Sequence, residues 1–121
     1  MRIVGGVWSG RRLSVPAGSG VRPTADRVRE AVFNMLYGIG LPDGATVVDA
    51  FCGTGALGVE ALSRGAAHVT FVDTDRAVCD ALAATLDELG AEPERRRIVC
   101  GDAVSFAAGA AGFDLLLADP P

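Results

Sequence analysis

Apolar residues form four short, nearly unbroken runs after residue 45, and these runs predict the β-strands of the fold. We place the strands at residues 46–50, 68–73, 97–100 and 114–118. Apolar positions at helical spacing predict helices at 56–64 and 75–89, and a short helix after Asp102. Apolar strands that alternate with helices are typical of an α/β fold, with a parallel sheet covered by helices on both faces.

The amino-terminal third follows a different pattern, in which short β-like segments are interrupted by glycine and proline. We predict a β-hairpin or extended arm over residues 1–20, ending in a flexible link at 16–20. Thr24 stands where an N-cap would stand, and an amphipathic helix is predicted from the spacing of Val28, Ala31, Val32, Met35 and Leu36. The expected organisation is therefore an arm at 1–20 and one α/β domain at 21–121.

The charge distribution distinguishes these two parts of the chain. The 121 residues carry a net charge of −4, but residues 1–40 contain six arginines and two acids, and the rest contains five arginines and thirteen acids. Arginine suits forked phosphate contacts and stacking on bases, so the amino-terminal part is a candidate RNA-binding surface. Its candidate residues are Arg11, Arg12, Arg22 and Arg27. A solvated basic hairpin is the alternative, and composition alone favours it.

The cysteines and the hydropathy pattern exclude several classes of protein. Cys52, Cys79 and Cys100 are odd in number and lack C-x-x-C spacing, which argues against a disulfide framework and a zinc site. We expect buried, reduced thiols and no metal. No apolar run approaches the length of a membrane span, so we expect a cytoplasmic protein without a membrane partner.

A glycine-rich turn follows the first predicted strand. The strand ends in Asp49, and the turn then contains Phe51, Gly53, Thr54 and Gly55 before a helix begins. Glycines allow a tight turn and a close approach to a ligand, and the helix offers free N–H groups at its start. With Gly58 the spacing also matches the dinucleotide fingerprint. A nicotinamide-binding dehydrogenase module is therefore retained as an alternative.

Acidic residues follow the predicted strands, where ligands of open α/β sheets bind. Asp49 precedes the first glycine, where it would repel a pyrophosphate and suits a cationic ligand. Asp73 offers two acceptor oxygens to the ribose hydroxyls of an adenosine ligand of either kind. Asp102, followed by Ala103, is placed to accept a hydrogen bond from an adenine amino group, and capping of the next helix is the competing interpretation.

The last predicted strand runs into Asp119-Pro120-Pro121. This sequence resembles the catalytic loop of enzymes that methylate exocyclic amines of bases. Such an amine is a poor nucleophile because its lone pair is delocalised. Hydrogen bonds from its protons to Asp119 and to the Pro120 carbonyl would hold it pyramidal, and the two prolines stiffen these acceptors. Taken alone, the sequence also fits a simple turn.

Taken as a whole, the chain resembles the RsmD-type 16S rRNA guanine-N2 methyltransferases. The resemblance rests on four blocks, at residues 2–13, 22–34, 49–66 and 119–121. It implies a Rossmann-like class I methyltransferase fold with an RNA-facing amino-terminal hairpin, and S-adenosyl-L-methionine as the cofactor. It also implies a 16S rRNA or small-subunit substrate, and a role for Asp49 in holding the ammonium of the cofactor.

The resemblance further assigns roles along the sheet edge. It implies that Asp73 binds the ribose, Asp102 and Ala103 the adenine, and Asp119 and its prolines the target amine. The family pattern continues beyond Pro121 with an aromatic residue and further strands. We therefore expect carboxyl-terminal strands to be absent from this chain. For the 121 residues alone we expect weak cofactor binding or none, and no turnover. A catalytically inactive RNA- or cofactor-binding fragment is thus a third hypothesis.

Overall fold

A computed structural model of the protein describes residues 2–13 and 25–120. In chain order its elements are α1 (Asp26–Tyr37), β1 (Thr46–Ala50), α2 (Ala56–Ser63), β2 (His68–Asp73), α3 (Arg76–Leu89), a 3-10 turn (Pro93–Arg95), β3 (Arg96–Cys100), α4 (Ala103–Gly109) and β4 (Leu115–Ala118). The four predicted strands and the helices between them are confirmed, with ends that differ by one residue at most where both were given. The 3-10 turn before β3 was not predicted.

The four strands form one parallel sheet in the order β3-β2-β1-β4. Val47 of β1 pairs with Val69 of β2 on one side and with Leu115 of β4 on the other. After β3 the chain crosses to the opposite edge of the sheet, so the strand order reverses between β1 and β4. Ligands of open α/β sheets bind at such a reversal, beyond the carboxyl ends of the strands.

Helices cover both faces of the sheet, as predicted, but the two faces are packed unequally. The larger core lies on the face covered by α2 and α3 and includes Phe33, Phe71 and Leu86, all fully buried. The opposite face, covered by α4, has only Val48, Ala50, Val72 and Ala103 as its described buried residues. Side chains of successive strand residues point to opposite faces, so Asp49 points toward α2, as Val47 does.

Helix α1 packs through a face that overlaps only in part with the one that its apolar spacing predicts. Its buried residues are Arg29 and Phe33, and Leu36 of the predicted set is half-buried against the main core, whereas Val28 and Met35 are 55% and 76% exposed. The prediction was wrong for these two exposed residues. Arg29 shares the buried face because it is paired with carboxylates and can be buried without an uncompensated charge. The predicted N-cap Thr24 lies outside the described residues.

The amino-terminal segment, residues 2–13, is a tight loop with a single antiparallel bridge between Arg2 and Arg12. Within residues 2–13 the predicted hairpin consists of this bridge and of hydrogen bonds from the Ile3 N–H to the Arg11 carbonyl and from the Gly10 N–H to the Ile3 carbonyl, without a named strand. The pairing is short because the N–H groups of Val4 and Gly5 donate to the carboxylate of Glu60 in α2. The predicted link at 16–20 lies outside the described residues. Ile3 enters the main core, so the segment is part of the packed structure.

Candidate cofactor and substrate site

The turn between β1 and α2 has left-handed backbone at three described residues, Phe51 (φ 55°), Gly53 (φ 54°) and Gly55 (φ 81°). A Cβ added to Gly55 would lie 2.5 Å from a methyl carbon of Leu82 in α3. The turn therefore has to be glycine there to let α3 approach. Phe51 is not glycine, and such an outlier costs of the order of 1–2 kcal/mol. Strained backbone of this kind is concentrated at functional sites.

Asp49 is the most unusual residue of this region. Its side chain is 1% exposed, and its Oδ2 accepts a hydrogen bond of 2.9 Å from the N–H of Gly58 in α2. Burial raises the pKa of Asp49 to about 8, against the lowering effect of the Gly58 N–H and with a further increase from the negative charges of Asp73 and Asp119. Within the described part of the chain, Asp49 forms no ion pair. A cation from outside would lower this pKa and stabilise the carboxylate.

A cavity of about 30 Å³ joins Asp49 to the end of β4. It is lined by Asp49, Phe51, Cys52, Gly53, Thr54, Ala56, Leu57 and Asp119. A space of this size accommodates a group as small as water or an ammonium. The cavity therefore brings the first and the last of the predicted acids together, at the reversal of strand order. A nucleoside-sized ligand would have to extend from it along the sheet edge.

Asp73, at the end of β2, stabilises the turn between β1 and α2 by hydrogen bonding. Its Oδ2 accepts from the N–H of Gly53 and its Oδ1 from the N–H of Asp75, both at 3.0 Å. Each carboxylate oxygen accepts more than one hydrogen bond, so these contacts leave capacity for ribose hydroxyls. Asp73 is thus brought to the same turn as Asp49, and its predicted ribose contact remains a prediction.

Asp102 is the N-cap of α4. Its Oδ2 accepts from the N–H and the hydroxyl of Ser105 at 2.8 and 2.7 Å, and these bonds lower the pKa of Asp102. The capping interpretation left open by the sequence is therefore realised. Ala103 is buried beneath the sheet edge at 4% exposure. A contact of either residue with adenine remains a prediction.

The predicted catalytic and RNA-binding residues lie at two distinct places. Asp119 is half-buried and Pro120 exposed after β4, while Pro121 and Arg22 lie outside the described residues. Arg11, Arg12 and Arg27 are exposed. The Arg11 guanidinium donates to the backbone carbonyl of Glu88 in α3 at 3.2 Å, which ties the amino-terminal segment to a second helix.

Sequence reasoning missed a buried ion-pair network on α2, at the end remote from Asp49. Glu60 is 0% exposed and accepts from the N–H groups of Val4 and Gly5 at 2.9 and 2.8 Å. It also accepts from Nε of Arg29 at 3.0 Å and from Nε of Arg64 at 2.8 Å. Arg29, one of the six arginines of residues 1–40, is therefore a core residue. Block 49–66 contains Glu60 and Arg64 at i,i+4 spacing, but only the fold shows their partners.

The structure also bears on the expectations about the cysteines, a metal site and a membrane span. Cys52 and Cys79 are buried as expected, but Cys100 is exposed, so that expectation was wrong for one thiol. Among residues 2–13 and 25–120 no cluster of three His, Cys, Asp or Glu side chains could hold a metal ion. No helix in these ranges combines the length and apolar character needed to cross a membrane.

These features define a Rossmann-like α/β domain of the class I methyltransferase type, with its candidate site at the strand-order reversal. Residues 1–121 match the family described as conserved hypothetical protein 95, and the chain belongs to that family. The resemblance drawn from the sequence is confirmed by 46% identity over 122 residues to ribosomal RNA small subunit methyltransferase D of Escherichia coli K12, covering all of this chain and 60% of the relative.

Two further similar proteins are also named as methyltransferases. The methyltransferase D of Haemophilus influenzae is 37% identical over 126 residues, with all of this chain and 63% of the relative covered. The solved structure of yhhF from Escherichia coli, a protein assigned as a methyltransferase, has a TM-score of 0.87 at 43% identity, covering all of this chain and 64% of that one. The chain thus spans about 60% of the length of the curated relatives that it matches.

Proposed function

We propose that the chain is the cofactor-binding part of an S-adenosyl-L-methionine-dependent methyltransferase that acts on the exocyclic N2 amine of a guanine in 16S rRNA. The observation that carries this proposal is the buried Asp49 carboxylate, which shares a cavity with Asp119. The names of the relatives support rRNA of the small subunit as the substrate. The expected place of action is the cytoplasm.

The residues present fit this cofactor. Asp49 supplies a negative charge for the ammonium of its amino-acid end, in a cavity of matching size. Phe51, Gly53, Thr54 and Gly55 supply the surrounding backbone, and Asp73 supplies acceptors for the ribose. Asp102 and Ala103 border the place assigned to adenine. When bound, the cofactor supplies a methyl group that is already activated by its sulfonium, and the role of the protein is to orient the acceptor and exclude water.

Asp119 and the Pro120 carbonyl are assigned to the acceptor amine, and Pro121 to the same loop. The amine would donate its protons to these acceptors, which frees its lone pair from the ring. Asp119 lies in the cavity of Asp49, so the acceptor would meet the donor at the reversal of strand order. Reaching this recessed position requires the base to be swung out of its stack.

The cofactor assignment is tested by titration calorimetry with S-adenosyl-homocysteine and, separately, with NAD, on the chain fused to the carboxyl-terminal segment of the Escherichia coli relative. We expect binding of the first and none of the second, and Asp49→Ala should lose about 1.5–3 kcal/mol of binding free energy. Asp80→Ala, an exposed carboxylate of α3, is the matched control and should bind as the parent does. Tight NAD binding without affinity for S-adenosyl-homocysteine would establish the dehydrogenase alternative.

Catalysis is tested by fusing the chain to the carboxyl-terminal segment of the Escherichia coli relative and following tritiated methyl transfer to small-subunit particles. Asp119→Ala should abolish transfer to guanine N2 while leaving cofactor affinity nearly intact. Turnover by this variant would remove Asp119 from the mechanism. Absence of turnover by the parent fusion, despite cofactor binding, would favour the inactive-fragment hypothesis.

We assign Arg11, Arg12, Arg22 and Arg27 to RNA phosphates. Replacing Arg11 and Arg12 by Ala should weaken binding equally for all RNA sequences and flatten its salt dependence. The exposed Arg76 and Arg97 lie on α3 and β3, so their double replacement is a control with the same change in charge. If both double variants lost RNA affinity equally, the loss would reflect net charge and not a specific role of the amino-terminal arginines.

A further inference from the structure

Two thiols that the proposed function does not use lie at the carboxyl edge of the sheet. Cys79 is in the first turn of α3 and is 4% exposed. Cys100 is the last residue of β3 and is exposed. The parallel register places Cys100 opposite Asp73, the residue that braces the cofactor turn. Both thiols are therefore adjacent to the candidate site without lining its cavity.

Hydrogen bonds locate both sulfur atoms around the backbone of residues 73 and 74. The carbonyl of Asp73 accepts from the N–H of Gly101 at 2.9 Å and from the thiol of Cys79 at 3.6 Å. The carbonyl of Thr74 accepts from the thiol of Cys100 at 3.6 Å. Because residues 73 and 74 are consecutive and Cys100 is paired with Asp73 in the sheet, both thiols lie around the same short stretch of backbone. In agreement, burial first and then a hydrogen bond with Cys100 raise the pKa of Cys79 to about 11.

We propose that Cys79 and Cys100 form a redox-responsive pair that a hydroperoxide joins into a disulfide, and that this disulfide weakens cofactor binding at the neighbouring turn. The second part of this statement rests on the proposed function, whereas the first does not. One thiol is accessible to an oxidant and the other is shielded beside it, which is the arrangement of an attacked and a resolving cysteine.

The reaction balances with hydrogen peroxide as the oxidant. The Cys100 sulfur attacks one peroxide oxygen, the O–O bond breaks, and a sulfenic acid and one water result. The Cys79 sulfur then attacks the sulfenic sulfur, so the S–S bond forms, the S–O bond breaks and the hydroxyl leaves with the Cys79 proton as a second water. Because the pKa of Cys79 is raised, the second step should accelerate as pH increases.

Bond formation would disturb the turn through Asp73. A disulfide requires a sulfur–sulfur distance of about 2.05 Å, so both thiols must give up their bonds to the carbonyls of residues 73 and 74. The Asp73 carboxylate holds the N–H of Gly53 at 3.0 Å, so a shift of this backbone is transmitted to the glycine turn. We expect cofactor affinity to fall on the order of tenfold, a usual size for coupling between two sites.

The test uses the chain fused to the carboxyl-terminal segment of the Escherichia coli relative. The protein is treated with hydrogen peroxide and mapped by mass spectrometry, and S-adenosyl-homocysteine is titrated before oxidation, after it and after reduction with dithiothreitol. The expected result is a Cys79–Cys100 peptide, a loss of affinity and its recovery on reduction. Cys100→Ser, an exposed substitution, should form no such peptide and keep its affinity in peroxide.

Two outcomes overturn the proposal or its second part, and a third overturns the proposed function. Free thiols after oxidation, or bonds to Cys52 or to a second chain, contradict the pair. An oxidised chain with unchanged affinity contradicts the effect on the turn. A reduced chain that does not bind S-adenosyl-homocysteine contradicts the proposed function instead, and peptide mapping still decides whether the pair forms.

Discussion

Two buried carboxylates lie at α2, Glu60 within the helix and Asp49 against it, and their surroundings are opposite. Burial alone would raise the pKa of Glu60, but the hydrogen bonds from Val4, Arg64, Gly5 and Arg29 outweigh it and the pKa is lowered. Asp49 has the N–H of Gly58 and two neighbouring acids, and burial raises its pKa to about 8. A buried charge is tolerated when it is paired. Glu60 is therefore a structural residue, and Asp49 is suited to a cation that the chain itself does not supply.

The comparison also separates the two ends of α2. Its amino end begins in the strained turn at Gly55, beside Asp49. Its last turn holds the amino-terminal segment through Glu60 and through Ser63, whose hydroxyl donates to the Gly5 carbonyl at 2.6 Å. Helix α2 thus connects Glu60, a buried carboxylate with paired charge, to the neighbourhood of Asp49, a buried carboxylate whose pKa is raised. A pKa perturbed in this way is a common property of binding sites.

Removal of Glu60 should produce the largest loss of stability. Glu60→Ala leaves the buried Arg29 without its fully buried partner, and breaking such a pair costs about 3–5 kcal/mol of unfolding free energy. Urea unfolding measures the loss. Glu30→Ala, at an exposed position of α1, is the control and should change stability by less than about 0.5 kcal/mol. Equal effects of the two substitutions would contradict the structural role of Glu60.

Asp49→Asn should stabilise the chain at neutral pH. The unfolded carboxyl titrates near 3.8 and the folded one near 8, so between these values the folded state binds one more proton and stability falls as pH rises. This slope is about 1.4 kcal/mol per pH unit. The difference in unfolding free energy between variant and parent should therefore grow from about pH 4 to 8, to at most about 4 kcal/mol at pH 7. A difference that does not vary with pH would contradict the raised pKa.

Replacement of Gly6 tests the contact between the amino-terminal segment and α2. Gly6 and Gly10 both have left-handed backbone, at φ 79° and 86°, but an added Cβ meets the Ser63 carbonyl oxygen at 1.9 Å only at Gly6 and lies in open space at Gly10. Gly6→Ala should cost about 1–3 kcal/mol more than Gly10→Ala, because the segment must shift from α2. Thermal unfolding of the pair measures this. Equal costs would show that the segment does not depend on this contact.

Exposed carboxylates should give the smallest effects. Asp75 caps α3 by accepting from the N–H of Ala77 at 2.9 Å, and its replacement by Ala should cost about 1 kcal/mol. Asp80 in the same helix is 74% exposed and lies 3.7 Å from Arg76, and its loss should cost less than about 0.5 kcal/mol. Denaturant unfolding of both variants checks the order. A larger loss of stability for Asp80→Ala than for Asp75→Ala would contradict this prediction.

Much of the sheet and of the site could be predicted because both depend on local pattern. Val47, Val69 and Phe71 are fully buried, and apolar runs of this kind identify central strands. Parallel topology then brings the ends of the strands to one edge, which is why Asp49 and Asp119 could be assigned to one site before their shared cavity was seen.

The parts that could not be predicted depend on partners distant in sequence. Arg29 entered the sequence analysis only as one of the six arginines of residues 1–40, but Glu60, 31 residues away, makes its burial favourable. Likewise the N–H of Gly5 pairs with a side chain 55 residues away, which limits the described part of the predicted hairpin to a short pairing. The hydrophobic periodicity of a single sequence does not reveal these pairings.

Proton release on ligand binding tests the central claim most directly. If the ammonium of S-adenosyl-homocysteine pairs with Asp49, the carboxyl that is protonated below pH 8 must ionise as the ligand binds. Calorimetry of the fused chain at pH 7, where the free ligand is already an ammonium, in buffers of different ionisation enthalpy should therefore show the release of nearly one proton for the parent and of about none for Asp49→Asn. Binding without proton release at pH 7 would contradict the role of Asp49 as the cation-binding carboxylate.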